Sequence, residues 1–316
     1  MIKRRKVGII GAGHVGSHAA YALMALGIAD DVYLADIDEE KGIAQTLDLN
    51  DAVTYLPGNP EAHFCKVEDM GDCDAMVFCA GPLPEPGETR LEGMPRTIEV
   101  CQDVVPKIKK SGFQGFIVSV SNPCDIIAQY MQIKLDWPKH MIVGTSTGLD
   151  SSRLLRCLYE KYHVNRRSLE AVGIGEHGAS AVFPISTASV YGKPLTELWE
   201  DDPQHFPKIE AKEYEDAMKQ GGWIVFSGKH STEFGIGTTA AELIRCYFHD
   251  LHKVIPCSVH LDGQYGEKDI YTAVPAMIGA NGVENILEYR LTPEELAGFH
   301  ESNRIMRSYL EKALEM

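Results

Sequence analysis

Long apolar runs, paired cysteines and an excess of positive charge are all missing from this chain of 316 residues, and each absence removes a class of function. No stretch approaches the roughly 18 consecutive apolar residues of a membrane-spanning helix, so no membrane partner is expected. The eight cysteines (65, 73, 79, 101, 124, 157, 246 and 257) form no CxxC pair and no metal-finger spacing. Several lie in apolar segments such as Met76–Ala80, a pattern that predicts reduced thiols in a cytoplasmic protein and no structural metal. Lys and Arg number 30 against 45 Asp and Glu, a net charge of −15, so a phosphate backbone would be repelled and nucleic acid is not an expected partner. Internal repeats and low-complexity tracts are absent too. The basic start, Met1 to Lys6, leads into a glycine-rich turn rather than a secretory apolar region, and reads as the approach to a first strand.

What is present is a rhythm. Short β-branched or apolar runs (7–10, 32–35, 75–79, 116–120, 141–143) alternate with helical patterns (15–26, 39–52, 91–110). Strands that recur between helices imply a parallel sheet with crossovers, because parallel neighbours cannot be joined by a tight hairpin. Residues 1–145 therefore read as a doubly wound, Rossmann-type α/β domain, and 146–316 as a mixed α+β domain for substrate. In the second part a helix is expected over 149–162, strand-like material over 171–191, helices over 211–248 and strands over 254–261. The segment Thr292-Pro293-Glu294-Glu295 opens a terminal helix with a capping Thr, a Pro at the first helical position and a Glu three residues on.

Gly11-Ala12-Gly13-His14-Val15-Gly16 follows the first strand and opens a helix. Such glycines permit the tight turn, the close backbone approach to a pyrophosphate and the helix packing of a dinucleotide site. The next strand ends at Asp36, twenty residues past Gly16, where a carboxylate would accept from ribose hydroxyls and repel a 2′-phosphate, favouring NAD over NADP. His14 reads as a loop residue near solvent. Ala80 and Gly81 end a later strand and are counted with the cofactor site. The Pro- and Gly-rich stretch that follows them, through Arg90, reads as a loop carrying an arginine over the sheet edge, a candidate lid.

Asp150 and Arg153 stand at i, i+3 at a helix start, and His177 sits between Glu176 and Gly178 where its ring can reach a cleft. Singly, each has a plain structural reading. Together they provide an anion, an anion receptor and a proton donor that works near neutral pH. His249 and His252 have a spacing that suggests a metal, but no third ligand is expected to lie near, and both read as helix-end surface residues.

These segments resemble the L-lactate/malate dehydrogenase family, in order and over nearly the whole chain. The resemblance implies that His177 protonates the substrate carbonyl as hydride arrives from NADH and that Asp150 stabilises the imidazolium. It implies that Arg153 grips the substrate carboxylate and Arg90 polarises the carbonyl when the lid closes. It assigns Asn122 to cofactor and substrate, Thr232 to the substrate pocket and Ile236 to the face behind the nicotinamide. It also implies an L-2-hydroxy acid product and a homodimer or homotetramer.

The lid position at which lactate enzymes usually carry Gln and malate enzymes Arg is Pro84 here, flanked by Glu85 and Glu88. No second cation is offered by the lid, so burial of a distal carboxylate there would cost several kcal/mol, and malate is disfavoured. Gly221 and Gly222 occupy positions where lactate enzymes typically have alanines facing the substrate. Glycine costs a helix about 0.5 to 1 kcal/mol relative to Ala, so the pair needs a reason, and extra room is one. Pro84 and these glycines point to a 2-oxo acid with a bulky apolar side chain, branched or aromatic, as in 2-hydroxyisocaproate or phenyllactate dehydrogenases. The alternatives are a pyruvate-reducing L-lactate dehydrogenase, a non-catalytic NAD-binding structural or sensory protein, and a metal-dependent NAD-using glycosidase. Leu155 and Glu170 stand where fructose 1,6-bisphosphate-activated relatives carry Arg and His, so no activation by that sugar phosphate is expected.

Overall fold

Runs of Val, Ile and Leu that are buried on both faces form the central strands, as in a sheet covered by helices on each side. The computed structural model describes residues 3–82 and 91–316. Strands β1 (Lys6–Ile10), β2 (Asp31–Ala35), β3 (Glu61–Phe64), β4 (Ala75–Phe78), β5 (Phe116–Ser119) and β6 (Ile142–Gly144) lie parallel in the spatial order β3-β2-β1-β4-β5-β6. Helices α1 (His14–Ala25), α2 (Glu39–Ala52), α3 (Met94–Ser111) and α4 (Cys124–Leu135) provide the crossovers. Strand order reverses between β1 and β4, whose shared register pairs Val7 with Ala75, and the crevice outside the strand ends at such a reversal is where α/β sheets bind ligands.

The second half continues the same sheet. From β6 the chain enters α5 (Gly148–Tyr162), a small three-stranded sheet of β7 (Leu169–Glu170), β8 (Ser189–Val190) and β9 (Lys193–Pro194), then α6 (Leu195–Asp201), α7 (Ala211–Lys229) and α8 (Phe234–Phe248). Strand β10 (Lys253–Asp262) then pairs antiparallel with β6 through Ser258 and Gly144. With β11 (Lys268–Gly279) and β12 (Gly282–Ile286) it completes a sheet of nine strands. The main core draws Val7 and Val118 from the first half and Ile236 and Cys257 from the second. Gly237 makes one close approach possible, since a Cβ there would stand 2.9 Å from the Ala19 backbone nitrogen of α1. Helix α9 (Pro293–Glu315) begins with the expected capping box: Glu295 N donates to Thr292 Oγ1 at 3.2 Å and Thr292 N to a Glu295 oxygen at 2.9 Å.

Two sequence expectations change. The stretch 171–191 holds only β8 and isolated bridges, Ile174 with Val182 and Gly175 with Ala273, because Gly173, Gly175, Gly178 and Pro184 interrupt any regular ladder. The β11–β12 hairpin is concealed by Pro275, which sits directly opposite Pro256 of β10, so two residues without an N–H share one rung. None of the helices described is long and apolar enough to cross a membrane. All eight cysteines are free thiols, and burial pushes several, Cys79 and Cys101 among them, up to about 12.

Candidate active site at the carboxyl edge of the sheet

The glycine turn leaves β1 at the switch point and fits a dinucleotide. Gly11 has φ +97, and a Cβ there would lie 2.7 Å from Ala80 N at the end of β4, while one on Gly16 would lie 1.8 Å from Gly11 O. The turn is therefore as tight as it can be. Helix α1 starts with no side-chain cap and no acidic residue in its first turn, leaving its amide groups for an anion. Asp36, just past β2, accepts from Ala12 N at 2.7 Å, which pins its carboxylate beside the turn. Lys41 of α2, which the motif reading passed over, brings its ammonium 3.7 Å from where a Gly13 Cβ would stand. Ser121 donates to Ala80 O at 2.6 Å, so the Ala80–Gly81 strand end and the Asn122 loop form one edge. Asn122 itself is exposed just before α4.

The proton-handling candidates meet as the sequence pattern implies. His177 Nδ1 lies 2.5 Å from Asp150 Oδ2, and Arg153 Nη1 donates to Asp150 Oδ1 at 2.9 Å, so one carboxylate holds both groups. The three side chains are only 11 to 12 % exposed, which strengthens each charged contact. Sequence reasoning missed Asp125, buried at the start of α4. It accepts the backbone N–H of His177 at 2.9 Å and the hydroxyl of Ser146 at 2.6 Å, and burial pushes its carboxyl above the usual range. Only its position after Asn122-Pro123 hinted at a role.

Arg153 also lines a cavity of about 280 Å³ between α5, α7 and the start of α8, whose walls include Thr232 and Gly221; His177 is not one of them. Ile236 lies deeper, 7 % exposed in the main core. Helix α7 runs unbroken through Gly221 and Gly222. A Cβ on Gly222 would meet Arg153 Nη1 at 3.4 Å, and one on Gly221 would meet Arg156 Nη2 at 2.8 Å. The glycines make way for guanidinium groups, in a cavity whose other walls include the apolar Leu149, Val225 and Phe234. His14 is the first residue of α1 rather than part of a loop; its ring pairs with Glu233 at 2.7 Å, and Glu233 also holds Lys229. Pro84 and Arg90 fall within 83–90, outside the described residues.

His249 approaches Arg5 at 3.1 Å, whereas His252 Nε2 lies 2.8 Å from Glu284 and 3.5 Å from Asp250, so ligand-type groups do gather around His252, a correction to the expectation that none lies near.

Comparison with known proteins agrees with this geometry. Residues 5–144 match the lactate/malate dehydrogenase NAD-binding domain, and residues 147–316 match the alpha/beta C-terminal domain of the same family. An L-lactate dehydrogenase of Fusobacterium nucleatum is 37% identical over 311 residues, covering 98% of each chain. The ligand-bound minor L-lactate dehydrogenase of Enterococcus mundtii superposes with a TM-score of 0.92 at 33% identity, covering 98% of both chains. The Cryptosporidium parvum lactate dehydrogenase, solved with lactic acid and β-nicotinamide adenine dinucleotide, superposes with a TM-score of 0.93 at 27% identity over 100% of both chains. With the glycine turn, the Asp36 anchor and the shared carboxylate of Asp150 all in place, the chain belongs to the lactate/malate dehydrogenase family and is an NAD-dependent 2-hydroxy acid dehydrogenase.

Proposed function

We propose that this protein is an L-lactate dehydrogenase, reducing pyruvate to L-lactate in the cytoplasm as a homodimer or homotetramer, with residues 1–145 holding NAD and 146–316 the substrate. The observation that carries the reading is the single buried carboxylate of Asp150 shared by His177 and Arg153. NADH, when bound, supplies the hydride. Gly11, Gly13 and Gly16 admit its pyrophosphate, Asp36 its ribose, and Ala80, Gly81, Asn122 and Ile236 flank its reactive end. Arg153 binds the pyruvate carboxylate through its paired N–H donors and sets the carbonyl toward the His177 ring. His177 then gives its Nε2 proton to the carbonyl oxygen, and Asp150 keeps Nδ1 protonated and the ring in place. Thr232 borders the substrate, and Arg90 polarises the carbonyl from the lid.

Relatives named L-lactate dehydrogenase favour pyruvate over a bulky apolar acid. The guanidinium groups beside Gly221 and Gly222 favour it over a bulky apolar acid too, since they occupy the space directly against the two glycines. The test is NADH oxidation with pyruvate, 4-methyl-2-oxopentanoate, phenylpyruvate and oxaloacetate. Pyruvate is expected to have the highest kcat/KM of the monocarboxylates by tenfold or more. A tenfold advantage for phenylpyruvate or the branched acid would restore the bulky-substrate reading, and no turnover of any acid would favour a binding protein.

A further inference from the structure

We propose that Arg156 and Arg166 form a second anion subsite beside Arg153, built to take the distal carboxylate of a 2-oxo diacid longer than oxaloacetate; this rests on the dehydrogenase reading above. In a chain whose net charge is −15, the cavity next to Arg153 is lined by four cations, Arg153, Arg156, Arg166 and Lys229, against one acid, Glu233. Two of the cations already have carboxylate partners within the fold: Arg153 is held by Asp150, and Lys229 by Glu233, whose other oxygen takes His14.

Arg156 is held more loosely. Its ion pair with Glu160 spans 3.8 Å from Nε, too far for a hydrogen bond, and both side chains are partly exposed, 42 % and 64 %. Its buried Nε has no hydrogen-bond partner among the described residues, a cost that a bound oxyanion would remove. Arg166 lies with its guanidinium carbon 5.0 Å from the centre of the Tyr159 ring, so stacking orients it while leaving its in-plane donors for a ligand.

Gly221 is what lets Arg156 approach α7 beside Arg153. Any larger residue would set a Cβ 2.8 Å from Arg156 Nη2, and the neighbouring Gly222 faces Arg153 in the same way. Consecutive residues of a helix point about 100° apart, so the two guanidinium groups are adjacent but distinct stations along α7. A diacid with two or three methylenes between its keto group and its far carboxylate offers one carboxylate to each station. Arg156 of α5 supplies the cation for a second carboxylate.

The experiment compares kcat/KM for 2-oxoglutarate with that for 5-methyl-2-oxohexanoate, in which an isopropyl group replaces the distal carboxylate, and with pyruvate, in the wild type, Arg156→Gln and Arg166→Gln. Isothermal titration of 2-oxoglutarate into the protein with NADH runs alongside. The expected result is a preference of at least tenfold for 2-oxoglutarate over its apolar isostere. The ratio of 2-oxoglutarate to pyruvate should fall at least tenfold in Arg156→Gln and less in Arg166→Gln. A folding defect lowers both substrates together and leaves that ratio unchanged, and R156K, which restores the charge, should recover part of it. The proposal is overturned if 2-oxoglutarate neither binds nor outperforms the isostere, or if its ratio to pyruvate is unaltered in Arg156→Gln. Turnover of pyruvate with rejection of the diacid would remove this subsite while leaving the lactate dehydrogenase reading intact.

Discussion

Replacing Asp150 with Asn tests the proposed proton transfer most directly, because it removes one negative charge and little volume. The carboxylate contacts His177 at 2.5 Å and Arg153 at 2.9 Å, with all three side chains nearly buried. At about 4 Å between charge centres and an effective dielectric of about 20, a carboxylate lowers the energy of an imidazolium by roughly 4 kcal/mol. An asparagine that keeps its oxygen on Arg153 turns its N–H₂ toward Nδ1, which favours the ring tautomer unable to donate there. The energy at stake in the transition state is thus about 3 to 4 kcal/mol, or a fall of roughly 10² to 10³ in kcat/KM for pyruvate. Steady-state NADH oxidation with pyruvate reads the effect. A D150N enzyme within threefold of wild type would refute the shared-carboxylate argument.

Gly16→Ala places a Cβ 1.8 Å from the Gly11 carbonyl, so NADH binding followed by fluorescence titration should weaken at least tenfold; wild-type affinity would mean that the turn is not the cofactor cradle. Asp125→Asn preserves the shape between Ser146 and the His177 backbone but cannot ionise. Burial raises the Asp125 carboxyl, so its contribution to stability is complete below the unfolded pKa of about 3.9 and is lost as pH rises through the folded value. The melting temperature of D125N relative to wild type should therefore climb as pH increases from about 4, and a pH-independent difference would show that Asp125 does not titrate in the native state.

The parts of the fold that could be read in advance are those whose signal is local. Glu39–Ala52 emerges as a helix with the bounds expected, because Asp38 caps it and two acids fill its first turn. The glycine turn and the Asp150–Arg153 pair are legible for the same reason, since each arrangement is written within a few residues. Asp125 was not, because its meaning depends on Ser146 and His177, which only the fold brings to it. Gly221 and Gly222 signalled that something required space. What lies against them, the guanidinium groups of Arg156 and Arg153, comes from another helix, which the sequence of α7 alone does not show.

The continuity of the sheet explains how two chemically separate sites can share one reaction. The cofactor turn leaves β1, while the His177 loop is tied to β11 through Gly175 and Ala273 and to the first turn of α4 through Asp125, so both are referenced to the same rigid layer. Within the proposed site, Arg153 contributes +1, Asp150 −1, and His177 +1 or 0 according to its proton. The cluster is cationic when the ring is protonated and neutral after the proton has gone to the carbonyl oxygen. A 2-oxo acid, which brings one negative charge, is therefore bound most strongly by the form able to reduce it. As hydride leaves NADH the nicotinamide takes on the positive charge that the His177 ring gives up, so the product carboxylate keeps its attraction to the site through Arg153.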